Sequence, residues 1–329
     1  MKDLWNKILL IGAGCITLLF AIYYLISRYN YPVVDNKFSL KFLCFYGVVL
    51  VAFIVFCFVQ KILLKKGKRT SAQDVIEIFT NYRFLMSQLV NKEFKVKYRR
   101  SYLGIAWSLV NPLLMMIVVS AVFSFVFRFN IEKFPAYLIL GQIMFNFFSE
   151  ATQFSLISII GSGQLIKKVY MPKYIFPLSK TVFSFYNFLI TFIPAIIVLA
   201  YYKVVPTISV LFLPLFFVYF FLFTFGVGML LATAEVFLRD VQHLYGVLLL
   251  ALGYATPIFY PADSLSPKMQ LFLNFNPLYH FVKYFRNVLF YHKCPTVEEN
   301  IVCLALGLGF LIIGVMFFER KQKKFILYI

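Results

Sequence analysis

Lys97-Tyr98-Arg99-Arg100-Ser101-Tyr102-Leu103-Gly104-Ile105-Ala106-Trp107, followed by Asn111-Pro112 and a long apolar run, sets cationic side chains against the start of a membrane span. Almost no charge follows until Arg128. Basic residues collect on the cytoplasmic side of a bilayer, so this stretch marks both a membrane boundary and its side. The remainder of the chain is read outward from it.

Of the 329 residues, 62% are hydrophobic, 20% aromatic and only 14% charged, which excludes an ordinary soluble domain. Helical crossing needs roughly 20 apolar residues. Eight segments qualify, near 8–27, 42–64, 106–128, 136–160, 181–202, 208–232, 241–257 and 297–318, the seventh being short. Their apolar runs are continuous and do not alternate with period two, which argues against a β-barrel. The expectation is an all-α polytopic membrane protein.

The net charge of +19 lies in a few segments between spans. From Lys61 to Arg100 there are eleven Lys or Arg against Asp74, Glu77 and Glu93. The loop near 161–180 adds Lys167, Lys168, Lys173 and Lys180 with no acid, and the tail adds Arg320, Lys321, Lys323 and Lys324. If all eight segments cross, these basic stretches share one side, and both termini are cytoplasmic. A basic surface beside a membrane meets anionic lipid, so nucleic acid is not an expected partner.

Lys2 and Lys7 before the first apolar run raise a signal peptide, but Ile22 to Ile26 is bulky and offers no small-residue cleavage site, so a retained helix is expected. Residues 1–64 then form a two-helix transmembrane hairpin joined through Pro32, Asp35 and Asn36. The charged link Lys65 to Ser71 is the clearest domain boundary. Cys15, Cys44, Cys57, Cys294 and Cys303 have no metal-ligand spacing and read as small apolar packing residues.

Residues 65–100 comprise that link and an amphipathic helix. Ser71 and Asp74 have N-cap spacing, and Val75, Ile78, Phe79, Tyr82, Leu85, Met86 and Leu89 recur every three or four residues. The helix is too polar to span, and its end at Lys95, Lys97, Arg99 and Arg100 suits the cytoplasmic headgroup layer. Residues 101–329 form the remaining core.

In the loop 161–177, two glycines permit a turn, Gln164 to Tyr170 has room for two helical turns, and Pro172 ends them. Leu165, Ile166, Val169 and Tyr170 are expected to be exposed beside Lys167 and Lys168. A basic, partly apolar knob suits docking of a soluble partner; a cationic tether on lipid is the alternative. The segment from Pro257 to Asn300 is long and half apolar. It predicts two short helices, Met269 to Leu273 and Leu278 to Phe290, interrupted by Asn274 to Pro277. Irregular backbone at membrane depth must be buried in protein or line a wet cavity, so re-entrant or interfacial half-helices on the external side are expected.

The chain has no GxxxxGK[ST] phosphate loop, no GxSxG nucleophile elbow, and no metal pair among His243, His280 and His292. Nucleotide hydrolysis is therefore not expected in this chain. Glu150, in the middle of a span, would cost about 2.5–3.5 kcal/mol if it faced lipid. Two readings stand: a pore or subunit-contact carboxylate, or a Glu satisfied locally by Gln142, Asn146, Ser149 or Gln153. Arg239-Asp240 reads as a cytoplasmic ion pair or as a cap of the next helix.

Residues 97–112 resemble the entry to the first core helix in permeases of type-2 ABC exporters, the branch that exports polysaccharides such as O-antigen, capsule and teichoic acid. Three further stretches agree in order. Leu165 to Pro172, with Pro177-Leu178, resembles that family's coupling helix; Phe237 to Asp240 resembles its cytoplasmic turn; Thr256 to Pro261, with Asn276-Pro277, resembles its external gate. The likeness covers roughly residues 74–329, and the hairpin 1–64 departs from the six-helix pattern.

The resemblance implies a six-helix permease core, paired as a homodimer in a bacterial cytoplasmic membrane, with two separate ATP-binding subunits beneath it. ATP and Mg would be held by those subunits, and this chain would hold no cofactor and perform no catalysis. Leu165, Ile166, Lys167, Lys168, Val169, Tyr170 and Pro172 would meet the ATPase. Pro257, Tyr260, Pro261, Asn276, Pro277 and Arg286 are the gate candidates.

Lys97, Arg99, Arg100 and Ser101 lie where the diphosphate of a lipid-linked glycan would enter, a role that competes with simple topology anchoring. The abundant aromatic residues would suit a sugar path, since sugar C–H faces pack on rings, but Phe is equally at home against lipid. A type-2 ABC exporter of drugs or small lipids shares the architecture and remains an alternative. A membrane enzyme acting on lipid-linked sugars remains another.

Overall fold

The computed structural model describes residues 81–99, 101–123, 132–169, 171–204 and 207–329, with isolated helical positions between 10 and 62. The expected hairpin 1–64 lies largely outside the described residues, as do the Ser71–Asp74 cap, Arg100 and Tyr170. Among the described residues the secondary structure is helical throughout.

The first continuous described stretch holds α1 (Arg83–Tyr98), which begins at Arg83 with Tyr82 in the cap position and buries Met86 and Val90. At Arg99 the backbone becomes extended. The Ser101 hydroxyl then accepts the Gly104 N–H at 3.1 Å, and Gly104 takes a positive φ of 50°. This tight turn delivers the chain into α2 (Ala106–Val122).

Helix α3 (Phe134–Gly161) is the axis of the fold. Pro135 in its first turn needs no amide partner. Buried residues recur along its whole length because α2, α5, α6, α7 and α9 all pack against it. The chain continues through α4 (Gly163–Lys168), α5 (Ile175–Tyr201), a 3-10 turn (Ile208–Phe212) and α6 (Leu213–Phe237). After these come α7 (Val241–Ala255), α8 (Pro267–Phe275), α9 (Pro277–Leu289), α10 (Val297–Lys321) and the short α11 (Phe325–Tyr328).

Among the described residues, four helical segments are long and apolar enough to cross a membrane: 134–161, 175–201, 208–237 and 297–328; α2 and α7 are shorter apolar helices. At 1.5 Å per residue α7 reaches about 22 Å, less than the hydrocarbon thickness of about 30 Å. The short seventh segment of the sequence is thus a short helix.

Without a hydrophobic drive between helices in lipid, close packing does the work. It is closest between α6 and α10. A Cβ at Gly314 would lie 2.3 Å from the Gly226 carbonyl oxygen, and one at Gly307 would lie 2.8 Å from that of Tyr219. The α10 N-terminus is secured by a capping box: Thr296 Oγ1 accepts the Glu299 N–H at 3.2 Å, and the Glu299 carboxylate accepts the Thr296 N–H at 3.1 Å.

The core divides into two clusters at opposite ends of α3. One gathers Phe134 to Leu156 with Phe188, Phe216, Phe220, Phe281 and Phe285. The other gathers Met86, Val90, Ile159 and Ile166 with Tyr174, Phe318 and Phe325. In the first, rings from α5, α6 and α9 pair at centroid distances such as 4.7 Å for Phe216–Phe285 and 5.0 Å for Phe220–Phe281. Each such pair contributes about 0.5–1.5 kcal/mol beyond burial. These phenylalanines are therefore committed to the chain's own core and not to lining a path.

Candidate functional site

The two short helices expected between Pro257 and Asn300 are α8 and α9, and α9 is buried in protein. Asn276 starts it: Oδ1 accepts the Leu278 N–H at 3.0 Å, while Nδ2 donates to Thr256 Oγ1 at 2.9 Å. One amide thus caps the helix and ties it to the end of α7. Pro277, at the first helical position, needs no amide partner.

Arg286 is 3% exposed and reaches from α9 into the backbone of two other segments. It donates to the carbonyls of Pro257 (Nη1, 2.5 Å), Ile258 (Nη2, 2.8 Å) and Tyr137 (Nη2, 3.1 Å; Nε, 3.3 Å), and its guanidinium carbon lies 3.5 Å from the Tyr137 ring centroid. A charge-assisted donor set spread over three carbonyls substitutes for hydration of the buried cation. Gly141 leaves the space, because a Cβ there would stand 2.5 Å from Nη2.

The clamp extends outward. Tyr137 donates its hydroxyl to the Tyr260 carbonyl at 3.1 Å, and Tyr260 donates its own to the Tyr254 carbonyl at 2.8 Å. Burial raises the Tyr260 phenol above its ordinary pKa, keeping it a donor. Pro257, Tyr260, Asn276, Pro277 and Arg286 therefore converge, with Pro261 next along the chain. Tyr137 and Gly141 belong to the same constellation and had no signal in the sequence beyond lying in an apolar run.

At the opposite end of α3 stands α4. Gln164 to Tyr170 was expected to be helical, whereas the helix is Gly163–Lys168. The sequence predicts exposed Leu165 and Ile166, and the structure corrects this: Ile166 is buried and Leu165 packs against the same cluster. The reason is the chain's tail, which folds beneath α4. A Cβ on Gly163 would stand 2.2 Å from Ile329 Cγ2, and Lys167 donates to the Ile329 carbonyl at 2.6 Å.

Phe325 is fully buried against Phe318 at 5.0 Å, and Phe318 lies 4.8 Å from Tyr174. Lys173 donates to the Gln322 carbonyl at 2.7 Å, and burial lowers its pKa. Lys167, Lys168 and Val169 remain exposed, and Pro172 follows as the chain turns into α5. The surface offered is thus a small basic knob braced from behind.

Glu150 is not satisfied by Gln142, Asn146, Ser149 or Gln153 of its own helix, because its partners come from α1 and α5. Its Oε1 accepts from Lys97 Nζ at 2.7 Å and its Oε2 from Asn187 Nδ2 at 2.8 Å. Asn187 Oδ1 in turn accepts from Ser108 Oγ at 2.8 Å and from the Tyr98 hydroxyl at 3.1 Å, and the two hydroxyls also touch. This network joins α1, α2, α3 and α5, and Lys180–Glu93 at 2.7 Å adds a second ion pair between α1 and α5.

Lys97 is therefore occupied, Arg99 is exposed, and Ser101 serves the turn before α2. Arg239 and Asp240 are exposed and form neither an ion pair with each other nor a side-chain cap on α7 among the described residues. No group of three or more His, Cys, Asp or Glu comes together among the described residues.

A bundle of long apolar helices, cross-tied by buried polar contacts, with a braced basic knob at one end and a clamped half-helix at the other, defines a multi-pass α-helical membrane protein. Residues 85–290 match the ABC-2 type transporter family, and the chain belongs to it. It is 30% identical over 243 residues, 73% of this chain and 93% of the relative, to the O-antigen export system permease protein RfbA of Klebsiella pneumoniae. It is also 30% identical over 247 residues, 74% of this chain and 95% of the relative, to the protein of that name from Myxococcus xanthus.

Proposed function

We propose that this chain is the membrane permease of an ATP-driven exporter that moves a lipid-linked polysaccharide across a bacterial cytoplasmic membrane. The observation that carries the reading is the braced knob Gly163–Lys168, with Lys167, Lys168 and Val169 exposed, in a chain similar along most of its length to permeases named for O-antigen export. Two copies pair around the pathway, each with six core helices, residues 1–64 forming a hairpin outside them.

ATP and Mg are held by two separate ATP-binding subunits. They grip α4 and α1 on the cytoplasmic side, where both termini of this chain lie. Closure of those subunits pushes α4; because α4 is packed on the tail and α1 is tied to α3 and α5 through Lys97–Glu150–Asn187, the push reaches the bundle as a rigid displacement. On the external side, the Arg286 clamp moves α9 and the Thr256–Pro261 segment together as the gate. Arg99, which is exposed and outside the Glu150 network, meets the substrate's diphosphate together with Arg100.

The test is co-purification with a candidate ATPase and glycan-dependent ATP turnover in lipid vesicles. Lys167→Glu with Lys168→Glu should leave hydrolysis measurable and abolish export. Unaltered export in that variant would overturn the docking assignment.

A further inference from the structure

A groove of about 600 Å³ runs between α1 and α5 and takes no part in the sites described above. On α1 its lining falls into two stripes of helical spacing: apolar Met86, Val90 and Phe94, and polar Arg83, Ser87 and Asn91. On α5 the lining is Val182, Tyr186, Leu189, Ile190 and Ile193, almost wholly apolar. A trough with one polar rim and one apolar wall fits an amphiphile.

The direction of the groove is set by side-chain contacts. Glu93 pairs with Lys180, Phe94 stacks edge-on against Phe183 at 4.7 Å, and Tyr98 reaches Asn187. The two helices therefore meet around Phe94 and Phe183, and the groove opens from there between Arg83–Phe94 of α1 and Val182–Ile193 of α5. From Val182 to Ile193 the apolar wall extends roughly 16 Å, about half the hydrocarbon thickness of ~30 Å. That is the depth of one leaflet. Arg83 is exposed and makes no ion pair among the described residues.

We propose that this groove holds one phospholipid of the surrounding bilayer, with an acyl chain along Val182–Ile193 and its phosphate on Arg83, Ser87 and Asn91. A single cation flanked by a hydroxyl and an amide supplies charge and donors for a phosphodiester. The apolar floor of Met86, Val90 and Phe94 supplies the chain contact. The lipid then fills the corner between the interface helix and the bundle, beside the Glu150 network. The inference goes beyond the export reading and stands without it.

Native mass spectrometry of the purified full-length protein, titrated with phosphatidylglycerol and with diacylglycerol of the same chains, tests it. The expected result is one tightly retained phosphatidylglycerol per chain, with diacylglycerol held more weakly. Arg83→Gln should weaken retention about fivefold, and Ile190→Trp, which fills the trough, should abolish it. Arg83 is exposed and Ile190 half-buried at the groove wall, and equal melting temperatures would verify that the variants fold. Equal phosphatidylglycerol retention by all three proteins would overturn the proposal. A photo-crosslinker at position 190 that captured residues 1–80 or a second copy of the chain, in place of lipid, would overturn it too.

Discussion

Lys97 Nζ lies 2.7 Å from Glu150 Oε1, joining the last turn of the amphipathic helix α1 to the middle of the central helix α3 across 53 residues of sequence. The pair is partly exposed, 31% on the Lys and 19% on the Glu side chain, so its direct worth is about 1 kcal/mol. Its larger effect is indirect, since Glu150 also holds Asn187, which holds Ser108 and Tyr98.

Lys97→Met and Glu150→Gln should each lower stability by about 1–2 kcal/mol, and the double variant should cost no more than the worse single one. Chemical denaturation of the detergent-solubilised protein gives the cycle. Additive losses would mean that the two residues act separately and that α1 is not held to α3 by this contact.

Arg286→Lys should be damaging although charge is kept. An ammonium cannot span the carbonyls of Pro257, Ile258 and Tyr137 at once, and each unpaired buried acceptor costs about 1–3 kcal/mol. Gly141→Ala should produce the same defect from the other side, because its Cβ would displace Nη2. Proteolytic cutting within 256–276 reports release of the clamped segment. Resistance equal to wild type in both variants would show that the segment is held by packing alone.

How far the sequence foretold this arrangement depends on the range of the interactions. The short helices around Asn276-Pro277 are written locally, in a cap residue and a helix-starting proline, and emerge within a few residues of the expected bounds. The amphipathic stripe from Tyr82 to Leu89 and the short α7 are legible for the same reason. Arg286 was marked by its charge in an apolar region, yet its partners are main-chain carbonyls, which any residue presents and no pattern advertises.

For Glu150 the sequence offers a pore or subunit contact, or the polar neighbours of its own helix, and not Lys97 or Asn187. One signal pointed elsewhere: Lys97 is among the basic side chains at the membrane boundary, where an isolated intramembrane carboxylate would find compensation. In sequence the tail is a string of cations, yet the apolar residues beside them, Phe318, Phe325 and Ile329, pack into the same cluster as Ile166. Exposure of Leu165 and Ile166 was inferred from a loop considered alone. A surface covered by residues 150 positions later is invisible to local periodicity.

That cover makes a paired prediction. Gly163→Ala should dislodge the tail, since the new Cβ would overlap Ile329 Cγ2, and so expose Ile166. Ile329→Ala removes the overlapping atom and should restore the native packing in the double variant, with a gain of up to about 1 kcal/mol from the better helix former. Reactivity of a cysteine placed at Ile166 reads the result. High reactivity in the double variant would show that something other than the tail shields α4.

Lys173 gives a pH signature with a defined sign. Burial lowers its folded-state pKa below the usual 10.5, so above the lowered value the unfolded chain binds more protons at this site than the folded one. Stability at this site therefore rises with pH between the lowered value and 10.5, and is flat below both. Lys173→Met should remove that alkaline rise while leaving other pH effects in place. Melting curves of both proteins across alkaline pH make the comparison, and identical slopes would mean that Lys173 is hydrated in the folded state.

The glycines of α10 separate packing from propensity within one helix. At Gly314 an added methyl meets the Gly226 carbonyl oxygen at 2.3 Å, main chain against main chain, which no rotamer change relieves. Gly314→Ala should therefore force α6 and α10 apart and cost about 1–3 kcal/mol or more. Five residues earlier, nothing lies within 4 Å of a Cβ at Gly309. Gly309→Ala should be neutral or stabilising by up to about 1 kcal/mol, the ordinary gain of Ala over Gly in a helix. Denaturation midpoints of the two variants decide the matter: equal losses would mean that α10 meets a partner along its Gly309 face, and equal gains would mean that α6 and α10 do not touch as closely as their backbones indicate.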